Sequence, residues 1–164
     1  MNPISNRQLK RSTWQTAIML TLGFWLSASL VLDWVIMPSL YLAGMMNEAS
    51  FATAGYTIFW NFNRLELLSA AVVLTAVLAV GQAKSNRGLG NIFLSCLLLT
   101  VAVVDTYFLT PQMCAVGSHL SLFAANAVPE TMNLLHGGYF MLEVFKLVDG
   151  AILLNRCWTE SCEV

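Results

Sequence analysis

The sequence predicts an all-α membrane protein in which four transmembrane helices form an antiparallel bundle with both termini in the cytoplasm. Of the 164 residues, 57% are hydrophobic and only 10% are charged, whereas soluble domains carry about 25% charged residues. The hydrophobic residues are grouped in stretches that match the length a helix needs to cross a bilayer. The positive charges outside these stretches fall in alternate connections, as they do in multi-pass proteins.

The predicted spans use most of the chain, so residues 1–164 form a single transmembrane domain. Span 1 is expected to end before Pro38 and span 3 before Pro111, because proline lacks the amide hydrogen and its ring clashes with the preceding turn. Span 2 follows an aromatic-rich segment, whose rings favour the headgroup level. A short polar hairpin over 84–90 joins spans 2 and 3 as antiparallel neighbours. The predicted spans cover about 13–37, 61–82, 91–110 and 132–155.

Lysine and arginine outside the spans set the predicted orientation, since cytoplasmic connections carry an excess of these residues. They occur in the N-terminal tail, the second connection and the C-terminal tail, whereas the connections over 44–50 and 112–130 have none. Both termini are therefore expected on the cytoplasmic side. The residues concerned are Arg7, Lys10, Arg11, Lys84, Arg87 and Arg156.

Ionisable residues inside a bilayer are costly, so each calls for a partner or a water-filled cavity. Four of them lie four or five residues from the outer end of four different spans, which at 1.5 Å per residue places them roughly 6 to 8 Å below the outer boundary. We expect them to form a polar cluster in the outer third of the bundle, with Arg64 close above it. The four residues are Asp33, Glu66, Asp105 and His136.

Span 4 extends this polar group inward. Glu143 follows His136 by seven residues and lies on nearly the same helical face. Lys146 and Asp149 follow at intervals of three, a spacing that permits ion pairs along one helix. One interpretation is a chain of titratable groups, typical of proton or ion translocation. The other is packing alone, in which Lys146 neutralises its neighbours and protonated carboxyls hydrogen-bond one helix to the next.

The expected ligand of the cluster is copper or another divalent cation, held by His136, Asp33, Glu66 and Asp105. Thioether, thiolate and imidazole groups suit copper, and such groups are frequent near the outer ends of the spans. Haem is not expected, because bis-histidine ligation needs two histidines at matching depth and His119 lies in a connection. The soft donors are Met37, Met45, Met46, Met113, Cys114, His119, Met132 and His136.

Other classes of function find no support in the sequence. Nucleic-acid binding requires a basic stripe, and the net charge here is -1. No nucleophilic constellation or glycine-rich phosphate loop predicts an enzyme. The alternative to a cation site is an accessory or assembly subunit, whose partners are the lipid bilayer together with a larger membrane complex or further copies of the chain.

Four stretches carry a family resemblance: Leu30–Pro38 (LVLDWVIMP), Phe59–Leu68 (FWNFNRLELL), Val104–Pro111 (VDTYFLTP) and His136–Asp149 (HGGYFMLEVFKLVD). They resemble a family of four-span integral membrane proteins of undefined activity, grouped with copper-resistance D-type membrane proteins, in the version found in oxygenic photosynthetic bacteria. The resemblance implies a four-helix bundle in a plasma or thylakoid membrane and metal handling, with Asp33, Pro38 and His136 at family positions. The wider group includes a haem-pathway oxidase that uses a histidine in its first span, a residue that span 1 lacks.

Overall fold

The computed structural model describes residues 3–45, 51–80, 86–115 and 130–162. All of these residues except 43–44 are helical, and this part of the chain contains no strand. The all-helical class predicted from the sequence is therefore confirmed.

The described residues form four helices, which we number α1 to α4. α1 covers 3–42 and consists of Pro3–Ser29, a π-helical segment Leu30–Ile36, and Met37–Leu42. α2 is Phe51–Val80. α3 covers 86–115 and consists of Asn86–Val104, a π-helical segment Asp105–Leu109, and a last α-helical stretch to residue 115. α4 is Glu130–Cys162.

Three of these helices are long and apolar enough to cross a membrane, over Ser12–Leu40, Thr53–Val80 and Gly88–Ala115. Large apolar side chains such as Phe24 and Phe93 point outward from the bundle, which suits a surface in contact with lipid rather than water. α4 is longer still, at 33 residues, but its middle carries three ionisable residues. Among the described residues, it is therefore not one of the helices that meet both the length and the composition of a membrane span.

The four helices pack as a closed ring, since each contacts its chain neighbours and α4 returns to α1. Its apolar core includes Leu22, Trp25, Val73, Leu98 and Leu153. At one crossing of α1 and α4, a Cβ atom added to Gly150 would lie 2.7 Å from Leu26 Cδ2. The glycine therefore allows close approach of these two helices, as small residues do in membrane bundles.

Both prolines expected to end a span lie inside a helix, so this prediction is wrong. α1 passes through Pro38 to Leu42, and α3 passes through Pro111 to residue 115. A proline within an α-helix removes a hydrogen bond and clashes with the carbonyl four residues earlier. Here a π-helical segment precedes each proline. Its wider turn leaves room for the proline ring and changes the hydrogen-bond pattern, so that the missing amide hydrogen is tolerated.

The hydrogen bonds at the ends of these π segments show the wider turn directly. The Met37 N–H donates to the carbonyl of Leu32, and the Thr110 N–H donates to the carbonyl of Asp105, each five residues back. Asp33 lies in the first segment and Asp105 begins the second, and both side chains are buried. The aspartate-before-proline pattern shared by spans 1 and 3 thus corresponds to a shared backbone geometry.

The helices also extend further than the sequence indicated at the end of the bundle formed by Leu42, Phe51 and Ala115, the end expected from the positive charges to face outward. α2 begins at Phe51 rather than near Asn61, so the aromatic segment forms its first turns. Glu66 consequently lies at the middle of this 30-residue helix. The acidic residues are therefore nearer the centre of the bundle than the depth of 6 to 8 Å inferred from the predicted span ends. Lys84 lies outside the described residues, whereas 86–90 form the start of α3.

Candidate cation site

The centre of the bundle contains a group of ionisable side chains with no exposed surface. They are Glu66 on α2, Asp105 on α3, and Glu143 and Lys146 on α4, each 0% exposed. We call these four residues the charged cluster. Charged groups are almost never buried this completely unless they are paired or bind an ion. The charges of the cluster must therefore be balanced by one another, by protons or by a bound ion.

Lys146 links two carboxylates of the cluster. Its Nζ donates to Glu143 Oε1, three residues earlier on α4, and to Glu66 Oε1 on α2. The predicted pairing of Lys146 with Glu143 is thus present, and the ammonium group also reaches across the bundle to a second helix. Such a pair offsets part of the large cost of removing two charges from water.

Glu66 receives two further hydrogen bonds, both from α1. Trp25 Nε1 donates to Glu66 Oε1 at 2.9 Å, and Ser29 Oγ donates to the same oxygen at 3.0 Å. With Lys146, three donors from two helices converge on one carboxylate oxygen. Donors arranged in this way fix the carboxylate in place and stabilise its negative charge.

Asp105 has the opposite environment. Neither of its carboxylate oxygens has a hydrogen-bond partner, and Glu66 Oε2 and Glu143 Oε2 also have none. One oxygen each from Glu66, Asp105 and Glu143 lie within 4.8 Å of one another. Three carboxylates and one ammonium leave the cluster two negative charges in excess. Two protons or one divalent cation would balance it.

Asp33 lies beside the cluster and is 2% exposed. The Tyr139 hydroxyl donates to Asp33 Oδ1 at 3.3 Å, whereas Oδ2 has no partner. Lys146 is close enough to act on Asp33 electrostatically, and the Glu143 carboxyl group lies within hydrogen-bonding reach of it. Asp33 is therefore a neighbour of the cluster, although its oxygens are not among the three that lie together.

The structure does not bring the other two predicted members into this group. The His136 side chain is exposed, because it lies seven residues outward from Glu143, about 10 Å along α4, where the side of this helix is no longer covered. Arg64 is also exposed, since a residue two positions before Glu66 points to nearly the opposite side of α2. Its guanidinium carbon lies 4.2 Å from the centroid of the Trp60 ring, a cation–π contact.

The soft donors predicted for copper lie outside the cluster as well. Met45 is exposed, and Met37, Met113 and Cys114 are half-buried near the helix ends. Met46 and His119 lie outside the described residues, as does the side chain of Met132. The oxygens that converge thus come from carboxylates alone.

Sequence reasoning missed the donors of α1 and the role of Tyr139. Trp25 and Ser29 lie within the apolar stretch of span 1 and precede Asp33 at intervals of four. This spacing places all three on one face of the helix. A stripe of hydrogen-bonding groups within an apolar helix was the signal that could have identified them.

An apolar layer separates the cluster from the inner end of the bundle. A cavity of about 20 Å³, room for one water molecule, lies at that end among residues that include Gln15, Asn91 and Cys157. On each helix a core residue stands between the polar centre and this cavity. These residues are Leu22, Val73, Leu98 and Leu153. The polar centre is thus closed by apolar side chains on its inner side.

Comparison of the chain with protein-family models, with curated proteins and with solved structures returns no match. The family resemblance stays a prediction that rests on the four quoted stretches. Any function must therefore be argued from the geometry of the cluster.

Proposed function

We propose that this protein is a four-span membrane protein that binds a divalent cation between Glu66, Asp105 and Glu143. The observation that carries the proposal is Asp105, a fully buried carboxylate whose two oxygens have no partner. Leaving a carboxylate so isolated in an apolar interior is far costlier than neutralising it. A bound ion would supply the two positive charges that the cluster lacks.

The ligand set favours a hard cation over copper. Mg²⁺, Mn²⁺ and Ca²⁺ prefer carboxylate oxygens, whereas copper gains most from thiolate, thioether and imidazole groups. Ligands on opposite sides of a hard cation lie about 4 to 5 Å apart, which agrees with three oxygens within 4.8 Å of one another. The copper expected from the sequence depended on soft donors that lie away from this group.

The fourth span and the orientation belong to the same proposal. α4 packs against both α1 and α3 along the bundle, and its ionisable residues are buried inside rather than facing lipid. A membrane therefore meets mainly its apolar side chains, such as Phe145 and Ile152. Lysine and arginine are in excess at the end of the bundle that carries both termini and the connection between α2 and α3. This excess supports a cytoplasmic location for the termini.

Binding of Mn²⁺ to the purified protein in detergent tests the site. Free Mn²⁺ gives an electron paramagnetic resonance signal that is lost on binding, and competing Mg²⁺ or Ca²⁺ restores it. We expect stoichiometric loss of signal with the native protein and none with Asp105→Asn. His136→Ala is the matched control, because it removes the predicted soft ligand but leaves the carboxylates, and it should bind like the native protein.

Several outcomes contradict the proposal. If the native protein binds no Mn²⁺, Mg²⁺ or Ca²⁺, the cluster is a set of protonated packing contacts, as in an accessory subunit. Binding that survives Asp105→Asn places the ion elsewhere. Copper found by elemental analysis and lost in His136→Ala would favour the soft-metal site instead.

The topology is tested by cysteine labelling. In a background with the native cysteines replaced by alanine, Gln112→Cys and Thr159→Cys place a thiol at opposite ends of the bundle on exposed positions. A membrane-impermeant maleimide should label Gln112→Cys in right-side-out vesicles and Thr159→Cys only in inside-out vesicles. Labelling of both variants from one side would exclude the four-span arrangement.

A further inference from the structure

Lys146 already pairs with two of the three carboxylates that the cation would use. Its Nζ donates to Oε1 of both Glu66 and Glu143, two of the three groups whose oxygens come together. An ammonium within hydrogen-bonding distance of these groups and a cation between them repel each other at short range. The ammonium therefore acts as a tethered competitor for the site.

A second place for the ammonium exists on the same helix. Asp149 follows Lys146 by three residues, a spacing at which two side chains on a helix can meet. Asp149 is 6% exposed, and neither of its oxygens has a hydrogen-bond partner. A buried carboxylate without a donor, within reach of a flexible lysine, is a ready acceptor for that lysine.

We propose that Lys146 is the switch of the cation site: it holds Glu66 and Glu143 in the cation-free state and turns inward to Asp149 when a divalent cation binds. This inference rests on the proposed function. The exchange keeps the buried ammonium paired in both states, which is necessary because an unpaired charge in the interior is very costly. With the cation bound, Glu66, Asp105 and Glu143 retain one excess negative charge instead of the two of the cation-free cluster, and the ammonium neutralises Asp149. It requires a change of side-chain rotamer and no displacement of the helices.

The apolar layer below the cluster limits how far the lysine travels. Leu153 is 0% exposed and follows Asp149 by one turn of α4. The inner cavity near Cys157 lies one further turn along α4. Lys146 lies at the cluster in the structure, and Asp149 is the second position that the switch would use.

A double-variant cycle on Mn²⁺ affinity tests the switch. In the native background, Asp149→Asn removes the second position, so Mn²⁺ binding should weaken by about tenfold, a typical coupling between contacting residues. Lys146→Met removes the competitor, so binding should tighten. In the Lys146→Met background, Asp149→Asn should then change the affinity by less than about twofold, because no ammonium remains to be accepted.

The outcomes separate this inference from the proposed function. If no variant binds Mn²⁺, the proposed function fails. If the native protein binds Mn²⁺ but Asp149→Asn weakens it equally in both backgrounds, Asp149 acts through its own charge and the switch is excluded. An Asp149→Asn variant that binds like the native protein excludes it as well. If Lys146→Met does not fold, Lys146→Gln, which retains a donor for both glutamates, provides the uncharged background.

Discussion

Glu66 and Asp105 belong to one cluster but lie in opposite environments. Glu66 receives hydrogen bonds from Trp25, Ser29 and Lys146 on a single oxygen, whereas Asp105 has no donor for either oxygen. Both are 0% exposed, so burial does not distinguish them. The difference shows that donors from α1 and α4 stabilise the charge on the Glu66 side of the cluster, whereas the Asp105 side has no such donor and needs a proton or a cation to balance it.

The backbone contributes to this contrast. Asp33 and Asp105 both lie in π-helical segments before a proline, and the widened turn directs both inward. Tyr139 supplies a donor to Asp33, but no residue in the described part of the chain supplies one to Asp105. The local sequence therefore positions the two aspartates alike. Whether each receives a hydrogen bond depends on the residues of the helices that face it.

The largest expected effect is on stability, from removing the charge of Glu66. Glu66→Gln keeps an acceptor for Trp25 and Ser29 but removes the charge on which three donors converge, and with it one of the two ion pairs of Lys146. The free energy of unfolding should therefore fall by ~3 kcal/mol, the scale for breaking a buried pair. Asp105→Asn should change it by less than about 1 kcal/mol, because no contact is lost. Denaturant unfolding in detergent with a chelator present measures both. Equal losses of stability in the two variants would mean that the Asp105 carboxylate makes stabilising contacts comparable to those of Glu66.

A smaller loss is expected when the Trp25 donor is removed. Trp25→Phe should cost about 2 kcal/mol, since hydrogen bonds to charged groups contribute roughly 1.5 to 3 kcal/mol. The smaller phenylalanine ring adds a packing loss, which the double variant with Glu66→Gln separates. If the indole acts on the charge of Glu66, the cost of Trp25→Phe should shrink in that background. An unchanged cost would assign the whole effect to packing.

Ser29 should contribute less still. Ser29→Ala removes one interhelical hydrogen bond, and such bonds in membrane bundles are worth about 0.6 kcal/mol on average. Ser27→Ala is the matched control, because Ser27 Oγ bonds only to the carbonyl of Gly23 on its own helix, at 2.6 Å, and is exposed. We expect no measurable loss from the control in the same unfolding assay. Losses of equal size would show that Ser29 acts within α1 rather than through Glu66.

The sequence predicted the parts of this structure that depend on the grouping of apolar residues and on the free-energy cost of burying charge. Apolar stretches of sufficient length predicted helices that can span a membrane, and three of them are long and apolar enough. The expense of charge in a bilayer singled out the ionisable residues of the apolar stretches, of which Glu66, Asp105, Glu143 and Lys146 are buried in the bundle. These inferences need only local information, and the sequence supplies it.

What the sequence could not supply were contacts decided between helices. The pairing of Lys146 with Glu66 crosses the bundle, whereas the pattern along span 4 already offered Lys146 two acidic neighbours on its own helix. His136 was included because depth was counted from predicted span ends. The ends of spans 1 and 3 were misplaced, because a π-helical turn allows a helix to pass through Pro38 and Pro111, which the general behaviour of proline does not anticipate. The start of span 4 was nearly right, since α4 begins at Glu130.

The smallest expected effect comes from Tyr139, the residue that distinguishes Asp33 from Asp105. Its hydrogen bond to Asp33 Oδ1 is long, at 3.3 Å, and long bonds are weak. Tyr139→Phe should therefore lower the free energy of unfolding by only about 0.5 kcal/mol, and the Phe59 ring that packs edge-on against Tyr139, with centroids 5.6 Å apart, should hold the new side chain in place. Mn²⁺ affinity should stay within about twofold of native, because Asp33 is beside the site and not a ligand. A strong change in affinity would instead make Asp33 a fourth ligand, and the contrast between the two aspartates would then be one of degree.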